Sequence, residues 1–148
     1  MQAIAHDLDN LGDAYKSLEN PIRWVGPEGI RSDYLLSLPL AGEAAPEPIA
    51  GKHEIRIETD EFTAVCPWTG LPDFGRLEVS YLPDARIVEL KSLKYYLLSY
   101  HTVGVVQEQA AERIADDLFR LLSPRSLAVR LDYKPRGGIH TVSDVKRP

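Results

Sequence analysis

The chain has 148 residues, 26% of them charged, and carries a formal net charge of −5 at pH 7. That length predicts one domain with a modest core, and an acidic balance without any compensating basic block argues against nonspecific binding to nucleic-acid backbones. The single cysteine excludes an intramolecular disulfide and a cysteine-rich zinc site and fits a reducing, cytoplasmic setting; no apolar run is long enough to span a bilayer, and the amino terminus lacks a basic-then-apolar signal pattern.

Taken in chain order, residues 1–50 read as an N-terminal arm and linker, and residues 51–148 as the domain proper. The run Arg23-Trp24-Val25-Gly26-Pro27-Glu28-Gly29 mixes turn residues with one large aromatic, which fits a local packing contact for Trp24. Residues 41–48 (Ala-Gly-Glu-Ala-Ala-Pro-Glu-Pro) hold little that can pack and read as linker. Ile55 and Ile57 then alternate with Glu54, Arg56 and Glu58, the pattern of a half-buried strand. Leu77, Val79 and Tyr81 alternate with Arg76, Glu78 and Ser80, which predicts a second strand over 74–82, joined to the first as a hairpin through residues 66–73. After Pro83-Asp84, a helix is expected from about 91 to 102, broken near Gly104. A second helix carries Val106, Ala110, Ile114, Leu118 and Leu121 at helical spacing and stops at Ser123-Pro124. Leu127, Val129, Leu131 and Tyr133 alternate as a third strand, and Pro135-Arg136-Gly137-Gly138 turns into a fourth over 139–145. The order ββααββ predicts an α+β fold, an antiparallel sheet with helices on one face. Such a sheet has two edges, and pairing with neighbouring copies would cover them.

Chemistry concentrates around Cys66, in Phe62-Thr63-Ala64-Val65-Cys66-Pro67-Trp68-Thr69-Gly70-Leu71-Pro72-Asp73-Phe74-Gly75. Cys66 ends an apolar run and turn residues follow at once, so its thiol stands at the mouth of a turn that Asp73 closes. A thiolate nucleophile and a carboxylic acid make a minimal pair for covalent catalysis. Taken alone, a lone cysteine is more often a small buried hydrophobe. Downstream, a helix over Glu89-Leu90-Lys91-Ser92-Leu93-Lys94-Tyr95-Tyr96 puts Lys91, Lys94 and Tyr95 on one face and Leu90, Leu93 and Leu97 on another. Two lysines beside an aromatic suit phosphates and a stacked ring; a solvated lysine face is the plainer alternative. No Gly-x-Gly-x-x-Gly run suggests a Rossmann unit.

Together, the Cys66–Asp73 run, the Glu-Leu-Lys-Ser-Leu-Lys-Tyr-Tyr run and Gln107-Glu108 strongly resemble the single-module QueF family, the NADPH-dependent 7-cyano-7-deazaguanine reductases of queuosine biosynthesis. The resemblance covers roughly residues 62–138. It implies a tunnel fold, in which sheets of several subunits close into a barrel, with active sites between subunits and a homo-oligomer of two stacked pentamers. It also implies that Cys66 attacks the nitrile carbon to form a thioimide, that Asp73 protonates the nitrogen, and that two NADPH molecules supply the hydrides. By the same resemblance, Lys91, Lys94 and Tyr95 fall in the NADPH motif, with Arg136 as a further candidate cofactor contact beside its plainer reading as an exposed turn residue. Glu108 matches the glutamate that holds the purine edge, and Val88-Glu89-Leu90 and Gln107 match other substrate-contacting positions. Many members of that family carry histidine where this chain has Gln107. Glutamine hydrogen-bonds but cannot shuttle a proton, which leaves acid–base work to Asp73.

Three other readings are weaker. A GTP-cyclohydrolase type of tunnel-fold enzyme needs histidine and cysteine zinc ligands, which one cysteine and the scattered His6, His53, His101 and His140 do not supply, so no metal is expected. A QueF-like amidinotransferase acting on tRNA keeps cysteine and aspartate but has no use for the lysine motif. A non-catalytic purine-binding module has no use for the Cys66–Asp73 pair.

Overall fold

A computed structural model of the chain describes residues 24–40 and 53–148. In chain order the strands and helices are β1 (Ser37–Pro39), β2 (Ile55–Val65), β3 (Pro72–Leu82), β4 (Arg86–Val88), α1 (Leu90–Leu98), α2 (Gln107–Leu122), β5 (Ser126–Arg136) and β6 (Ile139–Arg147). The main sheet has the order β2-β3-β5-β6, antiparallel throughout, while β1 and β4 pair separately as a small ribbon that the alternation patterns do not announce.

The sheet forms because alternate residues of β3 and β5 are apolar and meet in register: Leu77 opposite Leu131, Val79 opposite Val129, Tyr81 opposite Leu127. All six are buried. Onto that face α2 lays Ala110, Ala111, Ile114, Ala115, Leu118 and Leu122, whose 3.6-residue spacing gives one apolar stripe. The alanines keep the helix close to the strands. Ser123, in the left-handed conformation at φ 43°, ends the helix just before Pro124.

The helix expected over 91–102 is shorter. Regular α1 ends at Leu98 and tightens into a 3-10 turn over Ser99–Thr102. Its buried stripe is also rotated from the expected Leu90, Leu93 and Leu97: Leu93 is buried, but Leu90 is 62% exposed and Tyr96 is fully buried. A hydrogen-bond network draws Tyr96 inward. The Tyr96 hydroxyl lies 2.8 Å from that of Tyr100 and donates at 2.8 Å to Asp117, whose same oxygen accepts from Arg113 Nε at 2.8 Å. Burial pushes the Tyr96 phenol far up, and the Asp117 carboxylate adds to the shift, so the hydroxyl acts as a donor.

Part of the expected arm belongs to the body. Ile30 and Leu35 join the hydrophobic core, Val25 N donates to Thr102 O at 2.8 Å, and Gly104 N donates to Val25 O at 2.7 Å. The Trp24 ring lies so close over Gly104 that an added Cβ would overlap Trp24 Cε3. The local packing contact expected of Trp24 is therefore with Gly104, while the linker over residues 41–48 lies outside the described residues. Gly104→Ala should displace Trp24 and destabilise the chain by about 1–3 kcal/mol. Thermal unfolding read by tryptophan fluorescence tests this, and an unchanged midpoint with unchanged emission would show that the contact holds nothing in place.

Topology gathers the ends of several elements. Gly75 pairs with Tyr133, so the β2–β3 turn and the β5–β6 turn lie at the same end of the sheet. Val65 N donates to Val103 O at 2.9 Å and Val65 O accepts from Val105 N at 3.1 Å, which brings the start of α2 to that end as well.

Candidate active site

The thiol sits where β2 stops. Cys66 N donates to Leu71 O at 2.8 Å, and Gly70 N donates back to Cys66 O at 2.8 Å, closing the loop Pro67-Trp68-Thr69-Gly70 into a tight knuckle. Burial pushes the thiol up, but hydrogen bonds from the Thr69 side chain and from the Thr69 and Trp68 backbone outweigh it and the neighbouring Asp73 charge. The net result is a thiol held below its ordinary range.

Asp73 lies opposite Ala64 in the β2–β3 ladder, and its carbonyl accepts from Thr63 Oγ1 at 2.7 Å. Its side chain is only 13% exposed. Burial pushes the carboxyl up and Arg136 only partly offsets that, so the acid keeps its proton above the usual aspartate range. Arg136 Nη1 stands 3.5 Å from Asp73 Oδ2. A bulge in β5 between Tyr133 and Arg136, followed by the turn at Gly137 (φ 58°) and Gly138 (φ 76°), aims that guanidinium back toward β3.

Beneath it lies Tyr133, its ring 4.9 Å from the Arg136 guanidinium and stacked 6.3 Å from Phe62. The phenol is pushed up by burial first, then by the Asp73 and Glu108 carboxylates, which places both acids within its electrostatic reach. Glu108 is exposed in the first turn of α2; Gln107, one residue earlier, is buried and hydrogen-bonded to β5 and β6. Cys66, Asp73, Gln107, Glu108 and Arg136 therefore converge on one end of the sheet. Sequence reasoning missed Thr69, Tyr133 and Thr141. Thr69 reads as turn chemistry and Tyr133 as strand alternation, and only tertiary contact gives them a neighbour of interest.

The remaining candidates lie elsewhere in the chain. Val88 N donates to the Tyr81 hydroxyl at 3.2 Å, which fixes Val88-Glu89-Leu90 beside Tyr81. Tyr81 is eight strand residues from Asp73, roughly 26 Å along β3. The Glu89 carboxylate caps α1, accepting from Lys91 N at 2.9 Å and Ser92 N at 2.7 Å, and those two bonds hold it below the usual range. Within one chain it serves the helix rather than the thiol. Lys91, Lys94 and Tyr95 are exposed, and neither lysine forms an ion pair among the described residues. Lys94 borders a groove of about 200 Å³ between α1 and β2, with Thr59, Phe62, Leu97 and His101. Arg136, the further candidate cofactor contact, lies beside Asp73, and Tyr96, next to Tyr95 in sequence, is inaccessible. No cluster of potential metal ligands occurs among the described residues.

The model of the QueF-like protein family matches residues 72–148. The chain is 46% identical over 121 residues to the NADPH-dependent 7-cyano-7-deazaguanine reductase of Thermotoga maritima, covering 81% of this chain and 82% of that one. The chain belongs to the QueF family. A relative of the same name from Chlorobium luteolum is 54% identical over 87 residues, covering 59% of this chain and 75% of its own length. A crystal structure of an apo archaeosine synthase QueF-Like has the same fold, with a TM-score of 0.59 at 18% identity over 63% of this chain and 91% of that one. The tunnel-fold unit expected from the QueF resemblance is thus the fold observed.

Proposed function

We propose that this chain reduces the nitrile of 7-cyano-7-deazaguanine to the primary amine of 7-aminomethyl-7-deazaguanine with NADPH, through a thioimide on Cys66, as a step toward queuosine in tRNA. The observation that carries the reading is a thiol held below its ordinary range beside a carboxyl held above its own. Shifts of opposite sense on neighbouring groups are what a nucleophile and its proton donor need.

The sulfur of Cys66 forms a C–S bond to the nitrile carbon. One carbon–nitrogen π bond breaks, its electron pair goes to nitrogen, and the Asp73 proton lands there. The Thr69 and Trp68 hydrogen bonds stabilise the thiolate before addition and again when it departs. The Glu108 carboxylate accepts N–H bonds from the ring and exocyclic amine of the purine edge, which suits an exposed acceptor at a helix start. Gln107 has no proton to give. NADPH, when bound, supplies the hydrides that carry the carbon from nitrile to amine. Lys91 and Lys94 suit its phosphates, being exposed cations without ion-pair partners among the described residues, and Tyr95 offers a flat surface to a ring.

Because Val88-Glu89-Leu90 lies far from Cys66 within a chain, a complete site in this reading takes that stretch from a neighbouring copy. The sheet edges at β2 and β6, unpaired among the described residues, and the exposure of Trp68 (81%) beside the thiol support assembly, and the family resemblance favours a decamer of two pentamers. A cytoplasmic setting fits the unpaired thiol; no helix among the described residues is long and apolar enough to cross a membrane.

The test is NADPH oxidation with and without the cyano substrate, with the product weighed. Two NADPH consumed per amine formed supports the reading; oxidation independent of substrate, or a product retaining the nitrile, ends it. In the same assay Lys94→Ala should weaken NADPH binding about 10–100-fold, the scale of a lost charge-assisted hydrogen bond, while the adduct still forms. Loss of the adduct together with cofactor binding would show that the lysine face is structural.

A further inference from the structure

We propose that Gln107, together with Thr141, is a positioning residue that clamps the Arg136 guanidinium beside Asp73 and so fixes the charge environment of the proton donor. Gln107 is 1% exposed, yet every polar atom of its side chain has a partner. Nε2 donates to Leu131 O at 2.7 Å and to Thr141 O at 3.0 Å, pinning the carboxamide between β5 and β6. Oε1 accepts from Arg136 Nη2 at 3.0 Å and from the Thr141 hydroxyl at 2.5 Å. The reverse amide orientation would set NH2 against guanidinium and two carbonyl oxygens against a third, so this polarity is the one chemistry permits.

Thr141 closes the triangle, its Oγ1 accepting from Arg136 Nη2 at 2.8 Å. Both hydrogens of Nη2 are thereby used, the Tyr133 ring bounds one face of the guanidinium, and Nη1 is left facing Asp73 at 3.5 Å. An arginine held this way is not a free arm reaching for a cofactor phosphate. It is a fixed charge, held in place by residues that do not titrate. Histidine at position 107 would gain a proton as pH fell and repel Arg136; glutamine keeps the clamp unchanged.

The groups around Asp73 are Cys66 from the turn after β2, Arg136 and Tyr133 from β5, and Glu108 from α2, which reaches the same Tyr133. Arg136 is the one cation among them. Loosening it removes the interaction favouring the carboxylate, so Asp73 should hold its proton to higher pH.

This inference rests on Asp73 being the proton donor. Infrared difference titration of the assembled protein, using Asp73→Asn to subtract all other acids, isolates the protonated Asp73 band. In Arg136→Gln the midpoint at which that band disappears should rise by about one pH unit, and in Thr141→Val and Gln107→Leu it should rise by part of that amount. Should Gln107→Leu fail to fold, Thr141→Val, which keeps shape and backbone bonds, decides. Unmoved midpoints in Arg136→Gln and Thr141→Val, with assembly intact, overturn the clamp. An Asp73→Asn variant that protonates the nitrile at the normal single-turnover rate would instead overturn the role of Asp73 itself, whatever the titrations show.

Discussion

Cys66→Ala should lose both the covalent adduct and NADPH-dependent turnover to below detection. No second thiol exists in the chain to take its place, and a nitrile carbon does not accept hydride at a useful rate until addition has turned it into an imine-like electrophile. The loss should not come from misfolding. The loop is closed by backbone bonds, Cys66 N to Leu71 O and Gly70 N to Cys66 O, which alanine keeps. Circular dichroism and oligomer size should match the parent chain. Cys66→Ser should be nearly as inactive, because the Thr69 and Trp68 hydrogen bonds that suffice for a thiol cannot bring a hydroxyl into the range where it ionises. A Cys66→Ala variant that still consumes NADPH in step with amine formation would end the covalent account.

Asp73 and Glu108 are both carboxylates at the same end of the sheet, but their roles require opposite protonation. Asp73→Asn should bind the cyano substrate almost normally and lose about 10²–10⁴-fold in adduct formation, the usual worth of a positioned general acid. Its pH profile should change in a recognisable way. The addition needs thiolate and protonated acid together, so the parent rate should rise with pH as thiolate forms and fall again as the acid loses its proton. With asparagine the fall at high pH disappears and only the rise remains. Glu108→Gln should instead cost substrate affinity, because its new amide sets a donor against the purine's donors, a mismatch of about 1–3 kcal/mol. If Asp73→Asn loses binding while Glu108→Gln keeps it, the two roles are exchanged.

Most of the fold was legible because strand alternation and helix periodicity are local. The alternation of Leu77, Val79 and Tyr81 and of Leu127, Val129 and Leu131 marked two strands, though not that they pair with each other, and Ser123-Pro124 marked the end of α2. What was not legible depended on tertiary partners. Nothing in the spacing of α1 says that Tyr96 will be drawn inward by Asp117, leaving Leu90 outside, nor that Ile30 and Leu35 will enter the core. β1 and β4 are each three residues long, too short to show a period. Within the candidate site, Cys66 and Asp73 stood out because turn residues bring them together across a few positions. Arg136 was visible as a residue but not as a neighbour of Asp73, since a bulge and a two-glycine turn, rather than strand register, direct it there. The separation of Val88-Glu89-Leu90 from the thiol was hidden for a different reason: resemblance names residues of one site without saying which chain supplies them.

The most direct test of the central claim is the mass of the intact protein mixed with 7-cyano-7-deazaguanine in the absence of NADPH. The account predicts a gain of one substrate mass, located on the peptide containing Cys66, together with a thioimide absorbance band, and release of the amine once NADPH is added. Full reductase turnover without any trapped adduct on Cys66, or an adduct on a different residue, would contradict it.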